Sequence, residues 1–285
     1  MRARRSLTLA PGTAPRVPSR RSSSADGEGR SPSRTPGRSG GTPRARVFHE
    51  VITGIGSLLY PPSCLLCQAA LVSGTQDLVC ARCWDALPTT QAPWCSSCGR
   101  SLAGTGRDVT HCAVCRAAPL PLAGSRAACR YAGVAQVCVV QLKYQRQLAL
   151  VGPMAQQMAE AALSPPTLLA DALIPVPLHP TRARAREFNQ AALLAHDIGR
   201  RLGWPVLDDV LVRQHPTAPQ SQLEAPARRR NVAGAFAIHR GSQVRGRRLL
   251  VVDDVLTTGA TAAACARVLL AAGAAEVGAL TFAHG

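Results

Sequence analysis

The sequence predicts an α/β protein whose mostly parallel sheet carries helices on both faces and follows a small cysteine-rich module. Three observations predict this. Apolar strand-like runs alternate with helical segments after residue 121, eight cysteines fall in four C-x-x-C pairs before it, and the first 46 residues lack apolar periodicity. We therefore divide the 285 residues into a disordered basic tail (1–46), a short helix or linker (47–62), a metal-binding module (63–118) and an α/β domain (125–285).

The tail carries more than half of the formal net charge. Of the +17, +9 lies in residues 1–46, where eleven arginines stand against Asp26 and Glu28. Such an Arg-, Ser-, Pro- and Gly-rich segment cannot bury enough apolar surface to offset the entropy of ordering, so we expect disorder. Organelle transit peptides have a similar composition. We prefer the interpretation that the start of the gene has been assigned too early and that translation begins near Val47. The remaining net charge of +8 suits phosphate binding, but it does not indicate whether the phosphate belongs to a nucleotide or to DNA.

Periodicity predicts the elements in chain order. Apolar residues at helical spacing from Val47 to Leu59 predict a short helix that stops at Pro61-Pro62. Later apolar runs predict strands near Ala127–Tyr131, Ala172–Val176, Val206–Val212, Ala235–Ile238, Arg248–Val252 and Val277–Phe282. Helices are predicted near Val134–Lys143, Val151–Leu163, Asn189–Leu202 and Ala260–Ala272. No run of about 18 apolar residues and no secretory signal occur, which predicts a cytoplasmic protein without a membrane span.

The paired cysteines indicate structural zinc. Two thiolates in a C-x-x-C pair lie on one tight turn, and two such pairs complete a tetrahedral site. Redox dithiols or disulfides are the alternatives, but nothing indicates an oxidising compartment, and a redox protein needs one pair rather than four. Spacing does not show which pairs share a metal, and His111 stays open as a substitute ligand. The candidate ligands are Cys64, Cys67, Cys80, Cys83, Cys95, Cys98, Cys112 and Cys115.

The stretch from Arg248 to Thr261 predicts a phosphate-binding loop. After the apolar run 249–252, Asp253 and Asp254 stand at the strand's C-terminal edge, where open α/β sheets bind ligands. A short loop then leads into a helix. Its threonines offer hydroxyl donors, and its glycine lets backbone N–H groups converge on an anion. The loop consists of Thr257, Thr258, Gly259, Ala260 and Thr261. Two aspartates beside such a cradle suit a ribose diol, because carboxylates accept both hydroxyl hydrogens. The alternative is a structural role alone, in which the threonines cap the helix and the aspartates are a solvated strand end. We give the similar Asp208-Asp209 pair this structural interpretation, because no Gly- and Thr-containing loop follows it.

At these residues the chain resembles the phosphoribosyltransferases, whose signature is a hydrophobic strand, two acidic residues and a Thr/Gly phosphate loop. With the paired cysteines, further short motifs narrow the resemblance to the ComF family of competence-associated, phosphoribosyltransferase-like proteins, over residues 60–285. These motifs are Tyr60-Pro-Pro-Ser-Cys64, Leu142-Lys-Tyr144, Ile174-Pro-Val-Pro-Leu178, Glu187-Phe-Asn-Gln190, Thr217-Ala-Pro-Gln220 and Arg229-Arg-Asn-Val232. The resemblance implies a phosphoribosyltransferase type I-like mostly parallel sheet with helices on both faces.

The resemblance also implies a site for phosphoribosyl pyrophosphate (PRPP) with Mg²⁺. Asp253 and Asp254 would hold the ribose hydroxyls, and residues 257–261 the 5′-phosphate. Candidates for the pyrophosphate and for a mobile lid over residues 214–231 are Arg182, Arg184, Arg186, Arg229 and Arg230. We assign Arg182, Arg184 and Arg186, which occupy alternating positions, to a loop. They could equally form a solvent-exposed face. The family shows Arg-Gly-Phe-Asn-Gln where this chain has Glu187, so a negative charge lies near the proposed pyrophosphate site.

Two functions follow from the resemblance. We favour an accessory role in DNA uptake, transformation or recombination with PRPP binding retained; its partners would be single-stranded DNA and DNA-uptake or helicase proteins. The alternative is an active phosphoribosyltransferase, a glycosyltransferase of nucleotide metabolism, acting on an acceptor that the sequence does not name. No base and no acceptor pocket stand out, so catalytic activity is left open at this point.

Overall fold

Four parallel strands form the central sheet of the computed structural model, in the order β1–β6–β5–β2. β1 (Ser125–Arg130) pairs with β6 (Glu276–His284), β6 pairs with β5 (Arg248–Leu256), and β5 pairs with β2 (Ala172–Pro175). All four strands were predicted from their apolar runs. β5 continues four residues past its predicted end because the segment 253–256 still pairs with β6. The two aspartates therefore lie within the strand and not beyond it.

The structure describes residues 63–71, 78–102, 109–215, 232 and 234–285, which all belong to one compact unit, Val51–Gly285. Several predictions concern other residues and lie outside the described part of the chain. They are the tail 1–46, the helix at 47–59, and nearly all of the proposed lid, including Arg229 and Arg230.

Helices cover both faces of the sheet, as predicted. The described helices are α1 (Ala81–Asp85), α2 (Ala113–Ala117), α3 (Val134–Tyr144), α4 (Val151–Leu163), α5 (Pro180–Arg186), α6 (Gln190–Leu202) and α7 (Ala260–Ala271). The predictions for α3, α4, α6 and α7 are confirmed to within one residue at each end. No helix in this part of the chain is long and apolar enough to cross a membrane.

Alternate residues of the central strands face two hydrophobic cores. Leu249 and Val251 of β5 face the core that contains α7, whereas Leu250 and Val252 face the core that contains α3, α4 and α6. The period of two along the strand places successive side chains on opposite faces, so a strand buried on both sides is continuously apolar. This burial fixes the orientation of β5 and therefore of the polar residues at its C-terminal end.

A short antiparallel hairpin of β3 (Leu211–Arg213) and β4 (Phe236–Ile238) packs beside α7. The predicted strand over Val206–Val212 is wrong in its extent, because Val206 makes only an isolated bridge to Leu173 and the chain turns before Leu211. Aspartates favour such turns. At this turn Asp208 contacts His196 and Asp209 contacts Arg240, so both are surface ion-pair residues.

The cysteine module docks on the free edge of β1. The backbone N–H of Thr90 donates to the Ala128 carbonyl at 3.1 Å, and that of Arg130 donates to the Pro88 carbonyl at 2.8 Å. The buried Arg126 guanidinium lies 3.9 Å from the centre of the Trp94 ring. These main-chain hydrogen bonds satisfy N–H and C=O groups that an exposed edge strand would leave to solvent. The module and the α/β domain therefore stabilise each other.

Candidate metal centres and anion-binding cavity

The eight paired cysteines form two separate four-sulfur clusters, the first of Cys64, Cys67, Cys80 and Cys83 and the second of Cys95, Cys98, Cys112 and Cys115. Within each cluster the Sγ atoms all lie within 4.8 Å of one another. The Cys67 and Cys80 sulfurs are 3.6 Å apart and those of Cys98 and Cys112 are 3.8 Å apart. A tetrahedral Zn²⁺ with bonds of about 2.3 Å places its sulfurs at about this separation, so the clusters fit structural zinc. Neighbouring pairs share a cluster, which decides the question that spacing left open.

Backbone N–H groups stabilise thiolates in these clusters. The N–H groups of Leu66 and Cys80 lie 3.5 and 3.4 Å from the Cys64 sulfur. Burial alone raises the pKa of the Cys64 thiol, but these donors and that of Cys67 outweigh it and lower the pKa to about 6. His111 is not a member of either cluster and contacts the Thr110 hydroxyl instead.

A cavity of about 770 Å³ opens at the C-terminal end of β5. Carboxylates, hydroxyls and arginines line it, together with two tyrosines and a few apolar side chains. The polar lining residues are Tyr131, Lys143, Tyr144, Arg146, Arg182, Arg186, Gln190, Arg213, Asp253, Asp254, Thr257 and Thr261. This is the edge of a parallel sheet at which ligands of open α/β folds bind.

The two aspartates occupy different positions at this edge. Asp254 is 2% exposed, and its Oδ2 lies 2.9 Å from the Nζ of Lys143, at the end of α3. Burial alone would lower the pKa of Lys143, but the carboxylates of Asp254 and Asp253 reverse the effect and raise it. Asp253 is only partly buried, and burial together with the adjacent Asp254 raises its pKa. Asp254 is therefore held by Lys143, while Asp253 is the carboxylate more open to a ligand.

The predicted phosphate loop connects β5 to the N-terminus of α7. Gly259 has φ +72°, in the left-handed region that glycine adopts without steric cost, and it precedes the first helical residue, Ala260. A Cβ at this position would lie 2.6 Å from a methyl carbon of Leu120, which packs against the loop. Thr258 accepts a long hydrogen bond of 3.4 Å from the Ala260 N–H, so its hydroxyl partly caps the helix.

The lining separates the predicted phosphate residues into two groups. Thr257 and Thr261 line the large cavity with the two aspartates. Thr258 and Ala260 line a smaller cavity beside the second cysteine cluster, and Thr257 borders both. The loop is thus a partition between two cavities, which the sequence did not indicate.

The three alternate arginines lie on helix α5 rather than in the predicted loop. Arg182 and Arg186 line the cavity, whereas Arg184 is exposed and points elsewhere. Residues four apart share a helix face and the residue between them does not, so Arg184 does not line this cavity; binding of pyrophosphate by these arginines stays a prediction. Pro180 at the first helical turn and the His179 side chain at its cap start the helix.

Glu187 ends α5 in a strained backbone conformation. Its φ is +66°, in the region that the family's glycine adopts freely and that costs other residues about 1 kcal/mol or more. The side chain is exposed and its Oε2 lies 3.0 Å from a guanidinium nitrogen of Arg146, which lines the cavity. The substitution therefore adds negative charge and engages one of the cavity's arginines.

Replacing Glu187 by glycine is expected to strengthen the binding of PRPP roughly two- to threefold, because one negative charge near the pyrophosphate is lost and Arg146 is released. Isothermal titration calorimetry with PRPP and Mg²⁺ measures the change. Glu160→Gln, on α4, removes a carboxylate that contacts Gln156 rather than a cavity residue and serves as the control. Weaker binding by Glu187→Gly would contradict the repulsion argument.

Several cavity residues were not predicted as ligands. Arg213, at the end of β3, is 8% exposed and stacks on Phe236 at 5.3 Å. Burial lowers the pKa of its guanidinium, and the nearby Arg182 lowers it further. Gln190 accepts a 2.8 Å hydrogen bond from Arg186. The one sequence signal that pointed here was Lys143, the only lysine in the chain, within Leu142-Lys-Tyr144.

Comparison with known families matches the order of the cysteine module and the α/β domain. The double zinc ribbon domain matches residues 55–116, and the phosphoribosyl transferase domain matches residues 189–285. Among solved structures, the glutamine PRPP amidotransferase of Bacillus subtilis is 18% identical with a TM-score of 0.32, covering 47% of this chain and 26% of the amidotransferase. The protein TT1426 of Thermus thermophilus is 18% identical with a TM-score of 0.27, covering 46% of this chain and 83% of TT1426.

Whole-length relatives are closer in sequence. The DNA utilization protein YhgH of Escherichia coli O157:H7 is 33% identical over 224 residues, which are 77% of this chain and 96% of YhgH. Competence protein F of Haemophilus influenzae is 28% identical over 219 residues, covering 75% and 93%. With a double zinc ribbon, a phosphoribosyltransferase domain and relatives matched over nearly their whole length, the chain belongs to the ComF family that includes YhgH and competence protein F.

Proposed function

We propose that the chain binds PRPP at the C-terminal end of β5 and acts as an accessory factor in DNA uptake or DNA use. The observation that carries the PRPP proposal is the distribution of charge in the large cavity. Asp253 and Asp254 lie beside the helix N-terminus of the Thr257–Thr261 loop, and the cationic side chains of α5 and β3 line the same cavity. A ribose, its 5′-phosphate and its pyrophosphate require these three kinds of partner.

Each part of PRPP has a matching group in this arrangement. Asp253 accepts the hydrogens of the ribose hydroxyls, and the backbone N–H groups at the start of α7 with the hydroxyls of Thr257 and Thr261 donate to the 5′-phosphate. Arg182, Arg186 and Arg213 donate to the pyrophosphate, which accepts paired N–H bonds from guanidinium groups. Asp253 would hold a Mg²⁺ bound with PRPP, and the ion would neutralise phosphate charge.

The DNA role rests on the family and on the charge of the chain. YhgH is named for DNA utilization and competence protein F for competence, and both match this chain over more than nine-tenths of their length. The cysteine module carries three exposed basic residues, Arg82, Arg100 and Arg116. None of the module's described residues lines the PRPP cavity. Arginines in that position suit the phosphate backbone of a single strand.

If these arginines bind DNA through its backbone, affinity for single strands is expected to fall about tenfold or more between 50 and 200 mM salt and to vary little with sequence. Fluorescence anisotropy with labelled oligonucleotides of different sequence measures both effects. An Arg82→Ala/Arg116→Ala variant should show a smaller salt dependence than the wild type. The control is Arg240→Ala, which changes a surface ion pair with Asp209 on the α/β domain. Salt-insensitive binding would reject the electrostatic mode.

An active phosphoribosyltransferase is the second candidate. The observation in its favour is Asp253, because a carboxyl whose pKa is raised can accept a proton from a nucleophile near neutral pH. Breaking the C1–O bond of PRPP releases pyrophosphate while the acceptor's lone pair forms the new bond and its proton leaves to the base. Pyrophosphate release that depends on an added nucleophile, and that Asp253→Asn abolishes, would distinguish an enzyme from a PRPP-binding accessory factor.

A further inference from the structure

The smaller cavity, of about 350 Å³, lies between the second cysteine cluster and the phosphate loop. Ala260, Ala263 and Arg267 form one wall, and their spacing of three and four residues places them on one face of α7. The opposite wall belongs to the module and the segment after it, with the apolar residues Val114, Ala118, Pro119 and Leu120. A concave, largely apolar space of this size at the junction of two modules is typical of small-molecule sites.

An unpaired buried nitrogen lies in this cavity. His284, near the end of β6, is 6% exposed and lines the cavity, and its Nε2 has no hydrogen-bond partner. Burial and the neighbouring Arg100 lower the pKa of its imidazole to about 4, so the ring is neutral. Buried polar atoms are nearly always hydrogen-bonded, so a nitrogen without a protein partner on a cavity wall is available to bond a ligand group. None of the residues assigned to PRPP uses this nitrogen.

The balance of charge around the cavity favours an uncharged ligand. Arg100 and Arg267 contribute two positive charges, and none of the described lining residues is a carboxylate. Cys98, Cys112 and Cys115 also line the cavity, and a zinc ion with four thiolates carries a formal charge of −2. The arginines therefore balance the cluster, and an added full charge of either sign would find no counter-charge.

We propose that this cavity binds a planar, uncharged, hydrogen-bonding heterocycle, namely a nucleobase, either of a free nucleoside or of a single DNA strand. The apolar walls flank the ring, while His284 and the hydroxyl of Thr258, which line only this cavity, supply hydrogen bonds. This site is separate from the PRPP cavity and does not depend on PRPP binding. Thr257 borders both cavities, so the phosphate loop is shared between them.

The test is a fluorescence titration of the zinc-loaded full chain with 2-aminopurine riboside. Saturable binding is expected, and His284→Phe, which keeps an aromatic side chain but removes both imidazole nitrogens, should weaken it about three- to tenfold. Ala263→Leu fills the cavity from a buried position and should abolish binding. Arg182→Ala, which changes only the large cavity, should leave riboside binding intact.

Further measurements show whether the base comes from DNA or from a free nucleoside, and which results would contradict the proposal. A single-stranded oligonucleotide carrying 2-aminopurine should respond to His284→Phe if the base comes from DNA, whereas the riboside alone should respond if the ligand is a free nucleoside. Both variants must retain two zinc ions; if Ala263→Leu does not fold, His284→Phe decides. Absence of saturable binding, equal affinity in wild type and His284→Phe, or displacement of the riboside by inorganic phosphate would overturn the proposal.

Discussion

Cys98→Ser is expected to release one of two zinc ions and to lower the melting temperature of the whole chain by about 10 °C or more. The second cluster is fully buried, and its cysteines belong to the same hydrophobic core as Leu249 and Val251 of the central sheet. The backbone bonds from Thr90 and Arg130 also connect the module to the edge of β1. Loss of the metal therefore removes a structural part of the domain. Elemental analysis and differential scanning calorimetry give the two quantities.

The matched control for this variant is Cys265→Ser, at a buried cysteine of α7 that belongs to neither cluster. It should retain both zinc ions and lose stability only through its own packing. Cys67→Ser, at an exposed ligand of the first cluster, should release zinc with a smaller loss of stability. A Cys98→Ser protein that keeps two zinc ions, or one that melts like the wild type, would show that the second cluster is not a structural metal site.

Lys143→Met is expected to lower the free energy of unfolding by about 3 kcal/mol, because it leaves the Asp254 carboxylate buried without its cation. Methionine keeps the unbranched shape of the lysine stem, so the loss reports the charge rather than packing. Urea denaturation followed by circular dichroism measures the change. Removing both charges in Lys143→Met/Asp254→Asn should recover much of the loss, since the buried carboxylate at position 254 is then also gone.

A surface ion pair provides the comparison for Lys143. Arg248 and Asp171 are 2.8 Å apart, but both side chains are more than one third exposed. Arg248→Met should therefore cost much less free energy of unfolding than Lys143→Met. An equal cost for the two substitutions would mean that burial of Asp254 does not determine the energy of its ion pair.

The parts of the fold that depend on local pattern were predictable from the sequence. Apolar runs identified β5 and β6, and helical spacing identified α6 and α7, because burial on both faces of the sheet imposes these patterns. C-x-x-C spacing identified all eight metal ligands, since the two sulfurs of each pair lie on one turn. The connection from β5 to α7 was predictable for the same reason, because strand, glycine and helix start are consecutive, while phosphate binding there stays a prediction.

Contacts between distant segments were not predictable in this way. Lys143 meets Asp254 through the packing of α3 beside the sheet, and no local pattern records which carboxylate a lysine will reach. Arg213 reaches the cavity from β3, a strand whose start the pattern placed five residues too early, whereas β4 was predicted to within one residue. The helix over residues 180–186, which was placed in a loop, could have been predicted, because Pro180 after a capping His179 indicates a helix start.

The most direct test of the PRPP site is isothermal titration calorimetry with PRPP and Mg²⁺ on two matched pairs of variants. Arg182→Ala changes a cavity residue and Arg184→Ala an exposed residue of the same helix, while Asp253→Asn changes a cavity carboxylate and Asp208→Asn a surface one. The wild type should bind, and the first variant of each pair should lose roughly ten- to a hundredfold in affinity, as expected for a lost hydrogen bond to a charged group. The second variant of each pair should bind like the wild type. Equal affinities within both pairs would contradict PRPP binding in this cavity.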